Sequence, residues 1–103
     1  MILFNTTFVV TDSANAEFRN WISSVFIPDI LSCDSFSDIL LTKILSNPQE
    51  DEKTQSYALQ FKAPSIAHIE NWIATTGIHK LNAIQAKYGE NILYFATPME
   101  ILD

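Results

Sequence analysis

The sequence predicts an α+β fold in which a four-stranded antiparallel sheet carries two helical segments, and three observations point there. Two stretches, Ile2 to Thr11 and Thr54 to Lys62, alternate apolar and polar residues with the period of a half-buried strand. Two others place apolar residues three and four apart, as a helix with one buried stripe requires: Phe18, Trp21, Ile22, Val25 and Phe26, then Ile66, Ile69, Trp72 and Ile73. Finally, residues that stop or turn the chain stand between these stretches: Pro28, Asn47-Pro48, Pro64-Ser65, Gly77, Gly89 and Pro98.

In the first strand Ile2, Phe4, Phe8 and Val10 share one parity, with Asn5 and Thr7 on the other. Asp12 or Ser13 is placed to cap the helix that follows, and Pro28, which lacks an amide N–H, should interrupt it, with a short turn through Ile30 and Leu31. Phe36 to Ser46 reads as the second strand. The polar run Asn47 to Lys53 is an exposed loop joining it to the third strand, where Tyr57, Leu59 and Phe61 face one way and Ser56, Gln60 and Lys62 the other. Ser65 opens the second helix and Gly77 reads as its end. Ile78 to Tyr88 supplies a further helical turn or two, stopped by Gly89, and Asn91 to Thr97 is the last strand, closed by Pro98.

With 103 residues the chain has the size of one domain, taken as residues 1–103, and 48% apolar residues with seven Phe, three Tyr and two Trp suffice for a core without staples. Twelve acidic against six basic residues give a formal charge of -6, and the bases are scattered singly, so a phosphate backbone would be repelled and nucleic acid is excluded as a partner. Cys33 is the only cysteine, which rules out an internal disulfide and a CxxC metal or redox pair and fits a reducing compartment. The start lacks a basic region, and nothing approaches the roughly 20 apolar residues that span a bilayer. A cytoplasmic protein without membrane contact is expected.

The order strand, helix, strand, strand, helix, strand is the split βαβ plan of ferredoxin-like folds, in which both helices cover one face of the sheet. Strands one and three then lie in the middle, with Phe4, Phe8, Tyr57, Leu59 and Phe61 beneath the helices. The bare face should present Asn5, Thr7, Val9, Ser56, Ala58 and Gln60, with Ile39, Leu41, Leu93 and Phe95 added by the outer strands. A half-apolar face of this size is seldom left in water. A homodimer through that face, or a small-molecule ligand on it, is therefore expected.

The strings Phe4-Asn5-x-Thr7, Phe26-Ile27-Pro28 and Tyr57-Ala58-Leu59-Gln60-Phe61-x-Ala63-Pro64-Ser65, with Tyr88-Gly89 before the last strand, resemble a small bacterial family known only as a domain of unknown function. The likeness runs nearly end to end. It implies a ferredoxin-like subunit paired as in dimeric α/β-barrel proteins, and it supplies no activity.

No catalytic constellation stands out. Two glycines cannot make a GxSxG, P-loop or dinucleotide fingerprint. His68, one turn before Trp72, could touch the indole or face solvent, and neither it nor His79 has a second ligand at metal spacing, so no metal and no cofactor are expected. Asp29, Asp34 and Asp38 fit turns and caps, and Glu50, Asp51 and Glu52 a solvated loop tip. Cys33, near Leu31, reads as a partly buried structural thiol. One enzymatic alternative remains, a cofactor-free monooxygenase or haem-degrading enzyme of the dimeric α/β-barrel type. The latter use an Asn, a Trp and a His, which resemblance places at Asn5, Trp72 and His79, although Trp72 reads equally as core beside Ile69 and Ile73. The candidate ligand-binding residues are Asn5, Thr7, Gln60, Trp72 and His79. The leading expectation is a non-catalytic small-molecule-binding or regulatory module.

Overall fold

The computed structural model describes residues 1–45 and 53–103. The acidic tip Glu50 to Glu52 and most of its loop lie outside the described residues. Strands β1 (Ile2–Thr11), β2 (Ser37–Ile44), β3 (Thr54–Ala63) and β4 (Ile92–Glu100) form one antiparallel sheet in the order β2-β3-β1-β4. The two alternating segments are thus the central strands, where one face is buried along nearly the whole length.

Helix α1 (Asp12–Trp21) continues through a wide π-turn, Ile22–Phe26, into α2 (Ile27–Leu31). The second arm repeats the device: α3 (Ile66–Trp72), a π-turn at Ile73–Gly77, then α4 (Ile78–Tyr88). In the turns the N–H of Ile27 reaches back to the Ile22 carbonyl, and that of Ile78 to Ile73. Such i→i+5 turns add a residue without ending the helix.

Both expected stops are therefore corrected. Pro28 sits in the first turn of α2, where a missing N–H is tolerated, so the arm runs on to Leu31. Gly77 has ordinary helical angles, φ −59 and ψ −46, and the chain passes straight into α4. Its role is space: a Cβ there would stand 2.8 Å from Cζ3 of Trp72. Trp72 cannot yield easily, since Phe26, Phe36 and Phe61 surround it. Overpacking costs about 1–3 kcal/mol, against a gain of about 1 kcal/mol in helix propensity. Gly77→Ala is therefore expected to destabilise by up to about 2 kcal/mol in urea unfolding, and a raised midpoint would contradict the packing described.

The core lies between sheet and helices. Phe8, Phe18, Phe26, Phe61, Ile22, Ile30, Leu59, Ile69, Ile92 and Val10 are fully buried, and their rings interlock across the layers: Phe8 lies 5.0 Å from Phe18 and Phe18 5.3 Å from Tyr57. Tyr57 donates its hydroxyl to Asn15 Oδ1 at 2.5 Å, tying β3 to α1.

The outer strands depart from expectation in two places. In β2 a bulge between Ser37 and Leu40, with Asp38 at φ 54, shifts the register. Leu41 consequently pairs with Leu59 on the helical side and Ile39 packs partly buried against the core, while Leu40, Thr42 and Ile44 take the bare face. In β4 the strand continues past Pro98 to Glu100, because an edge strand tolerates a residue that cannot donate to the ladder. Gly89 at φ 56 does end α4, as expected, in a left-handed conformation that favours glycine.

Candidate functional site

Directly opposed residues of neighbouring strands share a face, so the ladder fixes the helix-free surface row by row. One row is Thr97, Asn5, Gln60 and Leu40; the next is Phe95, Thr7, Ala58 and Thr42; the third is Leu93, Val9, Ser56 and Ile44. Met99 and Leu3 continue beside Lys62. The central strands place Asn5, Thr7, Gln60 and Ser56 among Leu3, Val9 and Ala58, and the outer strands are mainly apolar apart from Thr97 and Thr42. Leu40, Ile44, Leu93, Phe95 and Met99 are all exposed, Phe95 and Leu40 by 58% and 56%.

The polar centre is incompletely satisfied. Asn5 Nδ2 donates to Thr7 Oγ1 at 3.0 Å, and Asn5 Oδ1 is buried with no hydrogen-bond partner among the described residues. A buried carbonyl oxygen left this way costs about 1–3 kcal/mol.

Asn5, Thr7 and Gln60 are thus side by side, and the other two candidates are elsewhere. Trp72 lies on the helical side, 6% exposed, its ring 5.8 Å from Phe26, 5.8 Å from Phe36 and 5.6 Å from Phe61. His79 is exposed on α4. The sheet separates Asn5 from Trp72, so Asn5, Trp72 and His79 do not converge on one cavity. His68 is exposed, its Nδ1 2.8 Å from Ser65 Oγ. Among the described residues no three His, Cys, Asp or Glu side chains come together in a way that could hold a metal ion, and no helix is long and apolar enough to cross a membrane.

Sequence reasoning missed a groove of 560 Å³ between α1 and α4, lined by residues including Glu17, Trp21, Val25, Ile84, Lys87 and Tyr88. The Tyr88 hydroxyl donates to the Glu17 carboxylate across it, and that bond to an acceptor carboxylate holds the phenol above its ordinary value of 10.0. The Lys87 ammonium lies 5.4 Å from the Tyr88 ring centre. These residues sit 71 positions apart in sequence at the Glu17–Tyr88 contact, so no local spacing could have revealed them.

Solved structures share this architecture. A Deinococcus radiodurans protein provisionally named an antibiotic biosynthesis monooxygenase superposes over 100% of this chain and 94% of its own, with a TM-score of 0.76 and 16% identity. An ethyl tert-butyl ether D (EthD) family protein from Bacillus halodurans matches with a TM-score of 0.65 and 11% identity, over 98% of this chain and all of its own. A dimeric ferredoxin-like protein from an uncultured marine organism matches at 0.59 and 11%, over 97% and 98%. At these identities the likeness establishes the ferredoxin-like fold and nothing finer. No curated protein matches the sequence. The sequence profile of a domain of unknown function, DUF4286, covers residues 1–102, and the chain belongs to that family.

Proposed function

We propose that the chain is a non-catalytic small-molecule-binding or regulatory module that acts in the cytoplasm as a homodimer, joined through the helix-free sheet face. The observation that carries this reading is the face itself, where exposed Leu40, Ile44, Leu93, Phe95 and Met99 flank a stripe containing the unsatisfied Asn5 Oδ1. Large apolar side chains exposed together on one sheet face mark an interface. Two copies related by a two-fold axis would offer each other the same patch, the usual arrangement of a soluble homodimer. The similarity to a dimeric ferredoxin-like protein supports the pairing. Between the paired sheets, Asn5, Thr7 and Gln60 would supply the donors and acceptors for a small polar ligand or for the partner's own stripe.

A second reading rests on the fold likeness to proteins provisionally named antibiotic biosynthesis monooxygenases from Deinococcus radiodurans and Bacillus cereus. Chemistry on this fold needs a substrate pocket with reacting groups aimed into it, and a haem-degrading version would need Asn5, Trp72 and His79 in the same pocket. Their placement on opposite sides of the sheet favours the non-catalytic reading. Haem titration separates the proposal from the haem-degrading version. The expected result is a Soret band that is the same for the wild type and His79→Ala. A saturable Soret shift at micromolar haem, lost in His79→Ala, would overturn the proposal.

A further inference from the structure

A cavity of 300 Å³ lies on the helical layer, on the other side of the molecule from the sheet face, and its wall includes Asp29, Cys33, Ser35, His68, Asn71 and Trp72. Two of these residues carry buried polar atoms with no hydrogen-bond partner among the described residues, Asp29 Oδ2 and Trp72 Nε1. They have opposite needs. The indole N–H is a donor only, and the carboxylate oxygen is an acceptor. The two groups are not bonded to each other, and Ser32 Oγ, which donates at 2.6 Å, goes to the Asp29 main-chain carbonyl and leaves the carboxylate unserved.

The orientation of the indole is fixed by its surroundings. Its benzo edge, Cε3, Cζ3 and Cη2, is the part nearest Gly77, so the N–H lies on the opposite edge of the ring. Phe26, Phe36 and Phe61 then hold the ring in place. Trp72 is 6% exposed, and a side chain buried that deeply normally finds an acceptor for its N–H. Trp72 also stands immediately before the π-turn Ile73–Gly77, a device frequent at functional sites.

We propose that this cavity is a binding site for a small molecule carrying a protonated amine next to a neutral hydroxyl or amide oxygen. The amine donates to Asp29 and the oxygen accepts from Trp72 Nε1. The lining explains the choice of charge: among the described residues Asp29 is its one carboxylate, no lysine or arginine belongs to it, and the remaining polar groups are hydroxyls, an amide, a thiol and the exposed His68. An anionic ligand would meet the carboxylate with no fixed cation to offset it, and a neutral one would leave Asp29 without a charge-assisted bond. The site is independent of the proposed dimer, whose face lies across the sheet.

Two-dimensional ¹⁵N NMR reads the two indole N–H groups directly, with Trp21→Phe assigning the Trp72 signal. Titration with 2-aminoethanol and with glycinamide is expected to move that signal saturably, while glycine and acetamide at equal concentration leave it in place. Asp29→Asn is expected to weaken the 2-aminoethanol response at least tenfold. The chain's only cysteine gives a second reading that needs no variant: Cys33, in the same wall, should react with a disulfide reagent at least threefold more slowly when 2-aminoethanol saturates the site. The proposal fails if neither amine shifts the indole signal, if acetamide shifts it equally, or if the response and the Cys33 protection are unchanged in Asp29→Asn.

Discussion

Phe26→Ala is expected to lower the free energy of unfolding by about 3–5 kcal/mol, the range for removing a large aromatic from a closed core. Phe26 is 1% exposed and joins the two helical arms to the sheet. Its ring stacks on Trp21 at 4.9 Å, meets Phe8 edge-on at 6.3 Å and lies 5.8 Å from Trp72. It ends the π-turn Ile22–Phe26, so backbone relaxation into the vacancy would have to disturb α2 as well. A domain of this size has about 5–15 kcal/mol in total, and the variant should lose a large share of it. Urea unfolding should show a lower midpoint at an unchanged slope. A loss below about 1 kcal/mol would mean that the site collapses freely and that the interlocked rings are not the centre of the core.

Phe95→Asp is expected to act on association and leave the fold intact. Phe95 lies on edge strand β4, directly across from Thr7, and is mostly exposed in the single chain. Exposed substitutions away from special features change monomer stability by about 0.5 kcal/mol or less. In a dimer joined through the helix-free face the same side chain becomes a buried aromatic anchor, the kind of residue whose loss costs about 2–4 kcal/mol of binding. A carboxylate in its place adds a desolvation penalty. The dimer dissociation constant should rise at least about 100-fold, while far-ultraviolet circular dichroism stays that of the wild type. Leu31→Asp, which alters an exposed leucine on the helical side, should leave association unchanged.

What could be read from the sequence follows from where one physical constraint acts alone. In β1 and β3 burial of one face dictates every second residue, and their extents, pairing and parity were legible, the shared face of Asn5 and Gln60 included. In β2 the run Ile39-Leu40-Leu41 offers apolar residues on both parities, and the bulge at Asp38, which decides between them, leaves no pattern. Pro28 and Gly77 are helix breakers by local propensity. Here a π-turn and a close approach by Trp72 override that preference, and both facts are tertiary. Each arm carries Trp just before its π-turn, Ile as the turn's first residue and Ile just after it, at Trp21, Ile22 and Ile27 and at Trp72, Ile73 and Ile78, a correspondence too sparse to read as a repeat without the structure.

The candidate site divides the same way. Asn5, Thr7 and Gln60 share a face because strand parity places them there. Trp72 was ambiguous, since a helical stripe of Ile69, Trp72 and Ile73 says that one face is buried and nothing about which chemistry it serves. The cavity shared by Asp29, Cys33 and Trp72 gathers residues from distant parts of the chain, with no spacing to announce it.

The central claim is that the helix-free sheet face is a homodimer interface, and sedimentation equilibrium across nanomolar to hundred-micromolar protein tests it most directly. The account predicts that the wild type reaches twice the 11.6 kDa chain mass at micromolar concentration and that Phe95→Asp remains at the single-chain mass throughout. A wild type that stays monomeric over the whole range, or a dimer that Phe95→Asp does not weaken, would contradict it.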